Sequence, residues 1–200
     1  MLRSARKQQL KDQIFMQALR LFNEKGFDNV TVEEITQACD IAKGTFYNYF
    51  PRKESILLHF GMMQLDSVNQ SINRYADIPD LREKLMLLFG DLFQRYAAQP
   101  GMIRQMIAEL LRSGLLMQEE ISMIQAFRNA LVPLLEEAQR NGQLRERAAC
   151  EDAAAVLTGV YFNALMVWLS TDGKAGRLED IFRRHFDIVW EGMQAGGGKG

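Results

Sequence analysis

The sequence predicts an all-α protein, with a small three-helix head followed by a longer helical bundle. Three observations predict it. Four prolines interrupt 200 residues, and strand-like alternation is scarce. Apolar residues recur instead at three- and four-residue spacing, as on one face of a helix. Residues 31–53, TVEEITQACDIAKGTFYNYFPRK, read as a short helix, a tight turn and a second short helix closed by a proline.

The first helix is expected from about Gln8 to Lys25, with Leu10, Ile14, Ala18, Leu21 and Phe22 as its apolar stripe and Gly26 as its stop. Phe27 and Val30 fold back ahead of Thr31. Thr31 and Glu34 have the spacing of a capping box, so a second helix starts there. Val32, Ile35 and Cys39 continue it, Asp40 breaks it, and Ile41 anchors the turn. A third helix is expected from about Ala42 to Phe50, ended by Pro51, because the residue before proline is pushed out of the α region. At ~100° per residue, Phe46 and Phe50 share an inward face. Gly44, Thr45 and Asn48 point the other way, flanked by Tyr47 and Tyr49, and Lys43 can swing past the helix end. A glycine permits close approach, phenols donate to phosphate, and a lysine reaches phosphate or a guanine edge, so this face suits a DNA groove. Lys53 is expected to open the next helix, where its charge and free N–H groups can meet a phosphate.

The run TVEEITQACDIAKGTFYNYFPRKESIL resembles the signature of the TetR family of regulators, closely over about residues 10–58. One departure is Asp40, where the family usually has glycine; aspartate tolerates the left-handed region better than most residues. The resemblance implies an N-terminal helix-turn-helix DNA-binding domain (1–51) and a helical ligand-binding and dimerisation domain (52–194); the glycine-rich end, 195–200, is expected to be a disordered tail because it has almost nothing to pack. The resemblance implies DNA contacts by Thr31, Lys43, Gly44, Thr45, Tyr47, Asn48, Tyr49 and Lys53. It also implies a homodimer on a palindromic double-stranded operator.

Charge and composition agree. Net charge is −1 overall, but residues 1–53 carry +3 and the remainder −4. A basic head on an acidic body suits docking on phosphate. Arg3, Arg6 and Lys7 form either a flexible arm near DNA or a solvated tail. The start is basic and polar rather than apolar, so no secretory signal is read and a cytoplasmic protein is expected. The two cysteines, Cys39 and Cys150, are expected as buried free thiols.

Helix four is expected over about Arg52–Tyr75 and links head to body. The body helices follow at about Leu81–Ala98, Met102–Leu116, Glu119–Asn141, Cys150–Ser170 and Arg177–Met193. Pro133 should kink the third of these and free the Asn129 carbonyl. Cys150–Ser170 is the most apolar stretch. It is short for a membrane span, so burial by a second chain is expected instead. Phe89, Phe93, Met106, Leu110, Phe127, Leu131 and Tyr161 are expected to line one body cavity, with Met62 or Met86 at its edge and Tyr161 and Asn163 orienting a ligand. No lysine or arginine is evident in the apolar stripes, so the effector is expected to be apolar or weakly polar.

Chemistry for catalysis is not legible. His59 and His185 stand far apart, and no nucleophile, phosphate-loop or dinucleotide motif is present. No catalytic residue, cofactor, metal site or membrane partner is expected. The reading is a DNA-binding regulator, a repressor released by a small ligand. The alternatives are the same fold controlled by a protein partner, and a helical enzyme or carrier.

Overall fold

The structure, a computed structural model, describes residues 2–98, 100–112, 114–145, 149–171 and 173–193. These residues form helices joined by turns, with no strand among them. The helices are α1 Leu2–Lys25, α2 Val32–Cys39, α3 Lys43–Tyr47, α4 Ser55–Arg74, α5 Leu81–Ala97, α6 Pro100–Arg112, α7 Gly114–Arg140, α8 Cys150–Ser170 and α9 Leu178–Met193. They fall into two compact units: Met1–Met62 with Gln99–Glu120, and Met63–Ala98 with Ile121–Gly200.

In the first unit α1 packs on α2 and α6, and α2 on α3. Its core is Ile14, Ala18, Phe22, Ile35, Phe46 and Phe50, with Phe27 and Val30 buried beside them. The Phe22 and Phe27 rings lie 4.8 Å apart, fixing the chain's entry into α2. His59 is edge-on to Phe15 at 5.0 Å and to Phe50 at 5.7 Å. The structure corrects several boundaries. First, α1 begins at Leu2, so the basic segment expected as an arm or tail is helical; no proline or glycine interrupts it, and most of its residues are good helix formers. Second, α3 ends at Tyr47, with Asn48 as its C-cap. Third, α4 begins at Ser55, which leaves Lys53 in the preceding turn. Fourth, α6 takes Pro100 as its first residue, where a missing N–H costs nothing, and α7 already starts at Gly114.

In the second unit α9 packs on α5 and α8. Phe89, Phe182, Phe186, Leu85 and Leu88 are fully buried. Pro133 lies inside α7. By length and composition α8 alone among the described helices passes for a membrane span, yet Ala154, Leu157, Tyr161 and Leu165 are buried within this unit. The α4–α5 seam is polar. Ser67 and Ser71 are buried, and the Asp91 carboxylate accepts from Ser71 Oγ at 2.7 Å, Arg74 Nη1 at 3.0 Å and the Tyr75 hydroxyl at 3.0 Å. The expected tail 195–200 lies outside the described residues.

Candidate nucleic-acid interface

The helix-turn-helix is held by caps at both ends of α2. The Thr31 hydroxyl accepts from the Glu34 N–H at 3.2 Å, and the Glu34 carboxylate accepts from the Thr31 N–H at 2.9 Å, so two otherwise orphaned donors are satisfied. Lys25 Nζ adds a 2.6 Å ion pair to the same carboxylate. The Lys25 hydrogen bond, aided by the Thr31 N–H, pulls the Glu34 carboxyl down to about 2. At the other end Asp40 is left-handed, with φ 53° and ψ 49°. The Asp40 N–H donates to the Gln37 carbonyl and the Ile41 N–H to the Thr36 carbonyl, the pattern of a Schellman cap.

This turn aims α3. Phe46 and Phe50 are buried, which fixes the helix's rotation. Lys43, Gly44, Tyr47 and Asn48 are exposed on the other side, and Thr45 and Tyr49 are half-buried. A Cβ placed on Gly44 would meet nothing within 4 Å, so no neighbour within the protein requires glycine there. The Lys43 ammonium donates to the Glu33 carboxylate on α2, which holds Glu33 below the usual carboxylate range and pushes Lys43 up. Lys53 is not the helix-opening residue expected. Its ammonium sits 4.2 Å from the Phe27 ring centroid and donates to the Phe27 and Val30 carbonyls at 2.8 and 2.9 Å. It ties the α1–α2 loop down with two of its three donors. The Thr31 hydroxyl is likewise engaged in the cap.

In the body, Phe89, Phe93, Phe127, Leu131 and Tyr161 are all buried. The rings form one cluster: Phe89–Phe127 at 5.9 Å, Phe127–Tyr161 at 5.2 Å and Phe93–Tyr161 at 5.8 Å. Phe182 from α9 joins it, 4.5 Å from Phe89. Met106 and Leu110 belong to α6, but their side chains lie outside the described residues. Asn163 is exposed, which overturns its expected place beside a ligand; two positions beyond Tyr161 is about 200° around a helix. Met62 is also exposed, and Met86 half-buried.

Residues 14–60 match the family model of the bacterial regulatory proteins, tetR family. The match spans the caps, the turn and α3. The chain belongs to the TetR family.

Its relatives within that family include regulators of fatty acid metabolism. The chain is 26% identical over 167 residues to the fatty acid metabolism regulator protein of Bacillus subtilis, covering 81% of this chain and 84% of that one. It is 35% identical over 140 residues to the transcriptional regulator AcuR of Cereibacter sphaeroides, covering 68% of this chain and 62% of that one. Of several other curated relatives it spans half the length or less. Among solved structures, Thermus thermophilus FadR in complex with lauroyl-CoA superposes with a TM-score of 0.77 at 25% identity, over 95% of this chain and 98% of that one.

Sequence reasoning missed three polar residues in this TetR-family chain. Glu33 pairs with a partner ten residues away, across a turn no spacing rule covers. Asp91 gathers donors 16 to 20 residues earlier on or just after α4. Lys84 is buried, against the expectation of none; its place three after Leu81 and four before Leu88 put it on the apolar face.

Proposed function

We propose that this regulator is a cytoplasmic homodimeric repressor that leaves a palindromic operator when its body takes up a fatty acyl chain. The observation that carries the DNA reading is the division of α3. Its aromatic side is locked into the core, and its other side offers Lys43, Gly44, Thr45, Tyr47 and Asn48 to a major groove. Tyr49, Lys53 through its remaining donor, and the Thr31 region meet phosphates. Two such heads fit half-sites about 34–36 Å apart or somewhat more. Residues 1–51 serve as the reading domain and 52–194 as the effector and dimer domain.

The effector reading rests on the aromatic cluster around Phe89, Phe93, Phe127 and Tyr161, an apolar interior that suits a chain of methylenes. Similarity to proteins named for fatty acid metabolism and to one bound to lauroyl-CoA supports the same class. α4 begins in the unit that holds α3, and Asp91 grips its far end, so it can relay a rearrangement of the body. Operator weakening by the effector must equal effector weakening by the operator, typically about 5–150-fold.

The test uses duplex DNA selected from a random pool by the purified protein. Lauroyl-CoA should release that duplex, whereas coenzyme A alone should not. Failure to select any DNA would remove the regulator reading. Selection followed by indifference to lauroyl-CoA would remove the effector reading alone.

A further inference from the structure

Among the described residues Lys84 is the one charged side chain that is buried, at 7% exposure. Its ammonium donates to the Ala76 carbonyl, just beyond the end of α4, at 3.1 Å. No carboxylate lies within ion-pair distance of it among the described residues. An ammonium on a buried side chain, held by one neutral carbonyl, has two donors still to satisfy. Capping the end of α4 accounts for only one of the three.

Lys84 forms part of the wall of a cleft of about 230 Å³. Ile78, Leu81 and Leu134 supply apolar wall, and Asn141 and Glu137 supply an amide and a carboxylate. Gln143 makes the cleft a built feature: its side chain accepts from the Leu81 N–H at 2.8 Å and donates to the Pro79 carbonyl at 2.9 Å. The α4–α5 turn is thereby fixed to the turn that ends α7.

We propose that this cleft binds a small monocarboxylate, a second ligand site separate from the aromatic cluster. A carboxylate oxygen takes the two remaining Lys84 donors, the Asn141 amide reaches the other oxygen, and a short alkyl tail lies on Ile78 and Leu134. Glu137 selects the charge, because its carboxylate opposes a phosphate dianion more strongly than a monoanion. Since Lys84 also holds the end of α4, occupancy bears on the helix that leads toward the reading head.

The test is the melting temperature of the full chain at pH 7 and constant ionic strength, titrated with sodium acetate, sodium butyrate, sodium phosphate or sodium chloride. Acetate and butyrate should raise it saturably, butyrate the more strongly through its alkyl tail, and phosphate and chloride should not; acetate the stronger would overturn the tail's place on Ile78 and Leu134. Lys84→Met, shown folded by circular dichroism, should lose the response. Glu137→Gln, at an exposed position, should bind acetate about two- to fivefold tighter, the scale of one exposed charge contact, and begin to admit phosphate. A carboxylate response no larger than that to chloride, one kept in Lys84→Met, or a Glu137→Gln protein unchanged toward both anions would overturn the proposal. The readout is anion binding, so failure here leaves the DNA reading untouched.

Discussion

The Lys43 ammonium is paired with the Glu33 carboxylate, joining the first turn of α3 to the first turn of α2. Both side chains are more than half exposed, at 52% and 63%, and exposed pairs hold weakly. Lys43 can therefore exchange Glu33 for a phosphate or a base edge. Glu33→Gln removes the competitor and should tighten DNA binding by about two- to fivefold. Lys43→Met should weaken it and lower the salt slope by about one. Fluorescence anisotropy across a salt series on the selected duplex measures both; a weaker Glu33→Gln complex would show that the pair positions Lys43 rather than restraining it.

Gly44 separates folding from reading. Open space surrounds its missing Cβ, so Gly44→Ala should stabilise the fold by ~0.5–1 kcal/mol through helix propensity. DNA affinity should nonetheless fall by about tenfold, the scale of one spoiled base-pair contact. Denaturant melts and anisotropy on the same variant give the two numbers, and undiminished affinity would place the groove elsewhere.

Asp40 occupies the left-handed region as the C-cap of α2. Glycine adopts that region without the Cβ clash, at some cost in unfolded-chain entropy. Asp40→Gly should be neutral or stabilising by ~0.5–1 kcal/mol, read from urea unfolding with an unchanged m-value.

The capping box should register in acid. The folded Glu34 carboxyl sits at about 2 rather than 4.5. A depressed folded pKa gives stability that is present above the unfolded value and lost as pH falls from about 4.5 toward 2. Melting temperatures should decline over that window, and Glu34→Gln should flatten part of the decline while lowering the plateau at pH 7. An unaltered acid slope in the variant would assign the loss to other carboxylates.

Assembly is testable on the outer faces of α8 and α9. Ile188 is 74% exposed, and Val156 and Met166 are exposed beside the small residues Ala155 and Gly159. Covering this face with a second copy removes apolar surface from water. Wild-type protein should have the mass of two chains at micromolar concentration by light scattering. Ile188→Glu should have the mass of one and bind the selected duplex roughly a hundredfold more weakly, because two linked heads gain avidity.

The sequence by itself determined the all-helical class, the capping box, the stop at Gly26, the left-handed turn at Asp40 and the inward face of Phe46 and Phe50. Each is a local matter of spacing, caps and backbone conformation within a few residues. It also named four rings that meet in the body, since large apolar side chains on facing helices have nowhere else to go. Only tertiary structure decided where long polar side chains end. Lys53 turned back to carbonyls 23 and 26 residues earlier, Glu33 reached Lys43, and Asp91 drew in three donors. A flexible side chain can take any of several partners within reach, and the choice follows from where the fold brings other helices.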